Sequence, residues 1–269
     1  MKVLILSDIH GNWPALEAVL AAEPAADQIL CLGDLVNYGP QPAQCVAWAM
    51  QLSPPNRIIQ GNHDRAFGLG NVPRCASANR QLAEAMQSAT YSMLTSEMKQ
   101  FLARLQPLQT FRWDETSCVA CHIAFTSPIC PGLTERDDPA WQETELSRMD
   151  TDMILIGHPD LLFVLVGHPD FVFLGNSHLP KKIKNFGTLV VNPGSVGLPA
   201  DGDPRAAYAV WQDGTVAFHR TAYDIEETVR ACKSLDLGEC IKQKLAEELR
   251  TGMCLSTRHA ANLTMKGAL

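Results

Sequence analysis

Val3-Leu4-Ile5-Leu6-Ser7-Asp8-Ile9-His10-Gly11-Asn12 opens the chain with a short apolar run that stops on a carboxylate and an imidazole. Two further stretches repeat the plan. Gln28-Ile29-Leu30-Cys31-Leu32 runs into Gly33-Asp34, and Arg57-Ile58-Ile59-Gln60 runs into Gly61-Asn62-His63-Asp64. Short apolar runs bounded by glycine and polar residues read as parallel strands buried on both faces. Each strand end then carries carboxylate, imidazole or amide groups. Three such ends side by side form one rim, the place where open α/β sheets hold ligands. A single motif of this kind reads as a turn or a helix cap. Three in this order, each after a strand and roughly 25–30 residues apart, read as one metal pocket.

Asp, His and Asn together suit small, borderline-hard divalent ions. Asp8, His10, Asp34 and Asn62 fill four positions, and His122 and His178 bring the protein groups to six. A tetrahedral zinc site takes four ligands, and a catalytic one usually three. Six groups suit two ions of higher coordination, with Asp34 bridging them through its two oxygens. Two metals roughly 3.5–4 Å apart clamp the attacking and leaving oxygens of an in-line phosphoryl displacement, and the hydroxide they share is a nucleophile at neutral pH. His63 directly follows Asn62. It is expected to face the ions without binding them, as a general acid or a stabiliser of developing charge.

In type and order these residues resemble the calcineurin-like metallophosphoesterases, most of all the small YfcE-type phosphodiesterases of bacteria and archaea. The family pattern is Asp-x-His, Gly-Asp, Gly-Asn-His-Asp/Glu, a lone His, then Gly-His-x-His. Asp8 and His10 match the first motif, Asp34 the second, and Asn62 and His63 the third. His122, after Thr116-Ser117-Cys118-Val119-Ala120-Cys121, fits the lone histidine. The resemblance continues through Asn192-Pro193-Gly194-Ser195-Val196-Gly197 and Asp201-Gly202-Asp203-Pro204-Arg205, and so covers about residues 1–225.

That resemblance implies an α/β fold, a four-layer α-β-β-α sandwich of two mixed sheets with a dinuclear metal site at the strand ends. It implies metal-dependent hydrolysis of a phosphodiester or phosphomonoester, with His63 as the catalytic residue. Asp8, His10, Asp34 and His178 would hold one ion, and Asp34, Asn62 and His122 the other, with Asn176 as a further candidate there. Manganese is the implied ion, with iron, zinc or nickel as alternatives.

Two departures stand out. Gly33-Asp34-Leu35-Val36-Asn37-Tyr38-Gly39-Pro40 lacks the Asp-Arg-Gly ending of the Ser/Thr protein phosphatases, with Asn37 and Tyr38 in the Asp and Arg positions. What orients His63 is therefore open between Asp64 and Asn37. The last motif reads Gly175-Asn176-Ser177-His178. Asparagine oxygen binds transition metals more weakly than imidazole, which leaves a weakened, binding or scaffold protein as the alternative function. Upstream lies a ten-residue near-repeat, Leu155-Ile156-Gly157-His158-Pro159-Asp160 and Leu165-Val166-Gly167-His168-Pro169-Asp170. His158 or His168 is thus an alternative ligand. The spacing from His178 to Asn192-Pro193-Gly194 favours His178. The plainer reading of the repeat is two core strands joined by Pro-Asp turns.

Composition bounds the rest. The chain has 269 residues, 46% hydrophobic and 19% charged, as globular proteins do. A net charge of −7 argues against non-specific nucleic-acid binding. It leaves room for a small phosphorylated substrate, because bound divalent ions reverse the local sign. The Val3–Leu6 run is too short for a signal peptide, and Leu161–Leu174 is too broken to span a bilayer. Nine cysteines at irregular spacing suit a reducing, cytoplasmic setting rather than a disulfide framework. Cys118-Val119-Ala120-Cys121-His122 spells a haem-attachment pattern, but on a strand positions i and i+3 point to opposite faces. A homo-oligomer is compatible with all of this.

The main domain is expected over 1–225, with a helical insert at about 77–105, and C-terminal helices and a tail over 226–269. Asn12-Trp13-Pro14 opens a helix with Leu16, Val19 and Leu20 inward, and a second helix runs through Ala43–Gln51. Strands around a turn at Asp114-Glu115 are expected over Thr110–His122, and loop with a short helix over 128–148. An Asp213-Gly214 hairpin follows, then helices at Asp224–Lys233 and Gly238–Arg250. Lys181, Lys182 and Lys184 read equally as a solvated edge or as a phosphate-attracting rim.

Overall fold

The computed structural model describes residues 1–71, 77–114, 116–122, 153–156, 163–166, 171–174, 181–185 and 188–253. Two five-stranded mixed sheets form the centre of the molecule. In the first, β1 (Lys2–Leu6) lies between β2 (Gln28–Cys31) and β11 (Ala206–Gln212). β2 continues to β3 (Arg57–Ile58), and β11 to β12 (Thr215–Thr221). The β1, β2 and β3 strands run parallel, and β11 is antiparallel to β1 and to β12. The second sheet has the order β4 (Leu108–Trp113), β5 (Thr116–Cys121), β6 (Met153–Ile156), β10 (Thr188–Asn192), β9 (Lys181–Asn185). Its inner pairs, β5 with β6 and β6 with β10, are parallel.

The alternation of each strand explains the layering. Val3, Ile5, Leu30, Leu32 and Ile59 point from the first sheet into an apolar layer with Phe111, Trp113, Cys118, Ala120 and Val191 of the second. Leu4 and Leu6 point the other way, onto α1 (Trp13–Ala22) and α2 (Pro42–Gln51), through Leu16, Val19, Val46 and Ala49. Each such side chain contributes about 1.5–3 kcal/mol on full burial. A slip of one residue in β1 would exchange the two faces. The helix-sheet-sheet stack matches three of the four expected layers. The loop and short helix expected over 128–148 lie outside the described residues.

Several elements follow the sequence closely. The Asn12 side chain caps α1 by accepting the Ala15 N–H at 3.3 Å, with a proline in the first helical turn. Asp114, at φ +51°, turns β4 into β5, and Asp213-Gly214 turns β11 into β12.

Others differ. The run 57–60 is a two-residue strand: the Ile59 N–H still donates to the Cys31 carbonyl of β2 at 2.8 Å, but Ile59 also bridges Gln106, and the Gln60 N–H donates to the Gln106 carbonyl at 2.8 Å, so the chain turns from its sheet after Ile59. It then enters α3 (Asn62–Leu69). The insert at 77–105 is two helices, α4 (Ser77–Met93) and α5 (Ser96–Arg104), because the Thr95 hydroxyl caps a new start by accepting the Met98 N–H. The near-repeat is asymmetric. Leu155-Ile156, which open its first copy, end β6 of the central sheet, whereas Leu165-Val166, which open its second, end β7 (Phe163–Val166), a strand that pairs with β8 (Phe171–Leu174).

The C-terminal α6 (Ile225–Lys233) and α7 (Glu239–Thr251) pack Val229, Cys232, Leu245 and Leu249 with Leu82 and Met86 of α4 and with Tyr38. The Thr228 hydroxyl donates to the Asn12 side chain at 3.0 Å. No helix among the described residues is long and apolar enough to cross a membrane.

Candidate metal centre

Asp8 and His10 follow β1, Asp34 follows β2, Asn62 and His63 open α3, and His122 follows β5. All six are buried. The turns that carry them are unusual. Asp8, His10, Asp34, Asn37 and Tyr38 all have left-handed backbone, with φ between +48° and +74°. Such conformations cost non-glycine residues of order 1–3 kcal/mol each, and they persist only where surrounding contacts impose them.

Those contacts are visible. The His10 N–H donates to the Asp34 carbonyl at 2.9 Å, and the Asp8 N–H to that of Gly33 at 3.0 Å. The segment 195–197 straps the first turn from the other side. Val196 N–H donates to the Ser7 carbonyl at 3.0 Å, Gly197 N–H to the Asp8 carbonyl at 2.9 Å, and the Ser195 hydroxyl to the same Asp8 carbonyl at 2.9 Å. Asp64 locks the second and third motifs together. Its carboxylate accepts the N–H groups of Asp34 and Leu35 at 2.8 Å and of Gly61 at 3.0 Å. Burial and the Asp34 charge push the Asp64 carboxyl up to about 7, against those N–H donors.

Asp34 is the hub. Its Oδ2 lies 3.1 Å from Nε2 of His122 and 3.9 Å from Nε2 of both His10 and His63. Its Oδ1 accepts the backbone N–H of His63 at 2.9 Å. Asp8 joins from the side, with Oδ1 at 3.5 Å from His10 Nε2 and Oδ2 bonded by the Ser7 hydroxyl at 2.5 Å. One ligand atom each from Asp8, Asp34 and His122 fall within 4.8 Å of one another.

Electrostatics follow the geometry. Burial alone would raise the Asp34 carboxyl, but the imidazoles of His122, His63 and His10 hold it well below the usual carboxylate range. Burial alone would lower the His122 imidazole, but Asp34 outweighs it and lifts it to about 9. The His10 imidazole is likewise raised, burial being overcome by Asp8, Asp34 and the Val36 carbonyl.

The donor set fits divalent metal. His10 and His122 each turn Nδ1 to a backbone carbonyl, Val36 at 3.2 Å and Leu32 at 2.6 Å, which leaves Nε2 facing the carboxylates. A carbonyl on Nδ1 fixes the tautomer in which Nε2 offers its lone pair to a metal. His63 is arranged differently. Its Nδ1 meets the side-chain amide of Asn37 at 3.0 Å, while Asp64 is occupied with backbone N–H groups. Of the two candidates for orienting His63, the structure selects Asn37. The sequence offered no signal for the Tyr38 ring, which stands 4.8 Å from the His10 ring and 5.0 Å from that of His63.

His178, Asn176, His158 and His168 lie outside the described residues. The backbone register nevertheless separates the strands that lead to them. Ile156, the last residue of β6, pairs in parallel with Cys121, the neighbour of His122. β8, which leads to Asn176 and His178, pairs with β7.

Comparison with known proteins agrees with this fold. A metallophosphoesterase structure from Sphaerobacter thermophilus superposes with a TM-score of 0.68 at 29% identity, over 94% of this chain and 99% of that one. An uncharacterised protein of Methanocaldococcus jannaschii is 26% identical over 90% of this chain and 96% of its own length. The symmetrical bis(5'-nucleosyl)-tetraphosphatase of Serratia proteamaculans is 34% identical over 67 residues, 24% of each chain. The calcineurin-like phosphoesterase family matches over residues 1–180. The chain is a member of the calcineurin-like phosphoesterase family.

Proposed function

We propose that the protein hydrolyses a small phosphodiester or phosphomonoester at the centre around Asp34. The observation that carries this reading is the sorting of the imidazoles. His10 and His122 present Nε2 in ligand form beside two carboxylates, while His63, held through Nδ1 by Asn37, brings its own Nε2 to 3.9 Å from the same Asp34 oxygen. A site that only bound metal would have no use for that third ring.

Asp8, His10, Asp34, Asn62, His122 and His178 would hold two divalent ions, manganese first among the choices. When bound, such ions neutralise phosphoryl charge and lower the pKa of a bound water, the source of a nucleophile at neutral pH. The protein's part is orientation. Backbone bonds to the Asp8, His10 and Asp34 turns fix the acceptors, and His63 directs Nε2 at the oxygen where negative charge develops. Burial of the whole cluster keeps bulk water from screening these charges.

His178, favoured by its spacing to Asn192-Pro193-Gly194, would supply a sixth group, with His158 or His168 as the alternatives. The substrate is small and phosphorylated. Nucleotides come first for assay because part of the chain is similar to bis(5'-nucleosyl)-tetraphosphatases. Buried thiols at Cys31, Cys45, Cys118 and Cys232 suit a reducing, cytoplasmic setting.

The test is turnover of a generic aryl phosphodiester and monoester with and without added manganese, for wild type and His63→Ala. Loss of a donor of this kind costs about 10²–10⁴-fold in rate, and bound metal should stay near the wild-type level. Folded, metal-loaded protein with no turnover under any divalent ion would leave the binding or scaffold reading standing instead.

A further inference from the structure

Three imidazoles surround Asp34, and the partner of each Nδ1 decides what its Nε2 can do. The Val36 and Leu32 carbonyls beside His10 and His122 can only accept, so those rings carry a proton on Nδ1, and Nε2 is the atom where a metal would replace the second proton. The atom 3.0 Å from His63 Nδ1 is the amide nitrogen of Asn37, which can only donate. His63 therefore accepts at Nδ1 and keeps its proton on Nε2.

We propose that Asn37 is a positioning residue that reserves His63 as a hydrogen-bond donor: by filling Nδ1 it fixes the Nε2–H tautomer and withholds the ring from the metal shell. The inference rests on the hydrolase reading above and deepens it. No bond is made or broken in this role. The N–H of His63 would donate to a phosphoryl oxygen of the substrate and stay on the ring.

Two further observations support it. Asn37 is fully buried, and its amide oxygen has no hydrogen-bond partner among the described residues, so the contact with His63 is what the side chain is held for. The backbone is also bent to deliver it. Asn37 and Tyr38 are consecutive left-handed residues, at φ +74° and +62°, and the Tyr38 ring packs against both His63 and His10. Strain concentrated in one turn beside a reacting centre is a mark of pre-organisation.

Two substitutions test this. Asn37→Gly suits the left-handed backbone and removes the amide, so the fold is kept. Asn37→Asp keeps the shape but offers only acceptors to Nδ1. The first readout needs no turnover: ring nitrogen spectra of His63, with zinc in place of paramagnetic manganese. Wild type should show the Nε2–H tautomer, Asn37→Asp the Nδ1–H form, and Asn37→Gly a mixture.

The second readout is kinetic. Both variants should lose about 10–100-fold in kcat on an aryl phosphodiester, with KM within about twofold and bound metal unchanged. On a His63→Ala background, Asn37→Gly should cost nothing more. A wild-type Nδ1–H ring, or an equal loss on both backgrounds, overturns the proposal. Inactive wild type with the Nε2–H ring would instead sink the hydrolase reading and leave the tautomer assignment in place.

Discussion

His122 Nε2 stands 3.1 Å from Oδ2 of Asp34, although Asp34 leaves a strand of the first sheet and His122 a strand of the second. Without metal, this is an ion pair closing the gap between the two layers. The raised imidazole, at about 9, adds stability in full below the ordinary histidine value near 6.5, and that stability is lost as pH rises through about 9. The depressed Asp34 carboxyl acts at the other end: its share is present above the ordinary aspartate value and is lost on acidification. A metal needs the lone pair that the proton occupies. Metal affinity should therefore rise by up to about tenfold per pH unit between about 6.5 and 9 and level off above. Calorimetric titration with manganese across that range measures it, and a flat profile would remove His122 from the ligand set. In chelator, the urea midpoint should fall over the same window.

Asp64 accepts three backbone N–H groups from both flanking motifs. Asp64→Ala orphans all three in a buried place, and the loss should be on the order of 3–5 kcal/mol by urea unfolding. Asp64→Asn keeps an acceptor oxygen and should cost about half as much. If Asp64→Ala unfolds like wild type, the carboxylate is not what joins the two loops.

Two glycines mark where backbone approaches the centre too closely for any side chain. A Cβ on Gly61 would overlap Oδ1 of Asp34, and a Cβ on Gly197 would overlap the Ile9 carbonyl. Gly197→Ala pushes the 195–197 strap off the Asp8 turn. Bound manganese, by elemental analysis after gel filtration, should fall by at least about tenfold in affinity, with fold content by circular dichroism kept. Unchanged metal binding would show that the strap does not set the turn.

The sixth ligand is decided by metal stoichiometry. His178→Ala should lower metal occupancy or weaken its binding by about 10–100-fold, and His158→Ala should leave it unchanged. The reverse result would move the role to His158.

How far the sequence could speak depends on the range of its physics. Strand-then-polar-turn patterns are local, so β1, β2 and the residues at their ends were legible, as were the Asn12 cap and the Asp213-Gly214 hairpin. The shortening of β3 was not, because it depends on Ile59 and Gln60 finding Gln106 in another layer. The split of the 77–105 helix had a local sign, a threonine three residues before Met98, that the apolar periodicity obscured. At the site, residue types announced the ligands, but the choice of Asn37 over Asp64 as the partner of His63 could not be read. Asp64 is next to His63 in sequence, yet its carboxylate faces the backbone of Asp34, Leu35 and Gly61, whereas Asn37 arrives from a turn of a separate motif. Adjacency along a chain says little about direction at a helix start.

The left-handed residues Asp8, His10, Asp34, Asn37 and Tyr38 also bear on how this protein can be improved or eroded. Glycine at any of these positions eases the backbone, and each such exchange deletes a ligand, the holder of His63 or the ring beside it. A directed-evolution screen for heat resistance alone would find these replacements attractive and would return a sturdier, inert molecule. Selection for endurance and selection for turnover pull the same five codons in opposite directions.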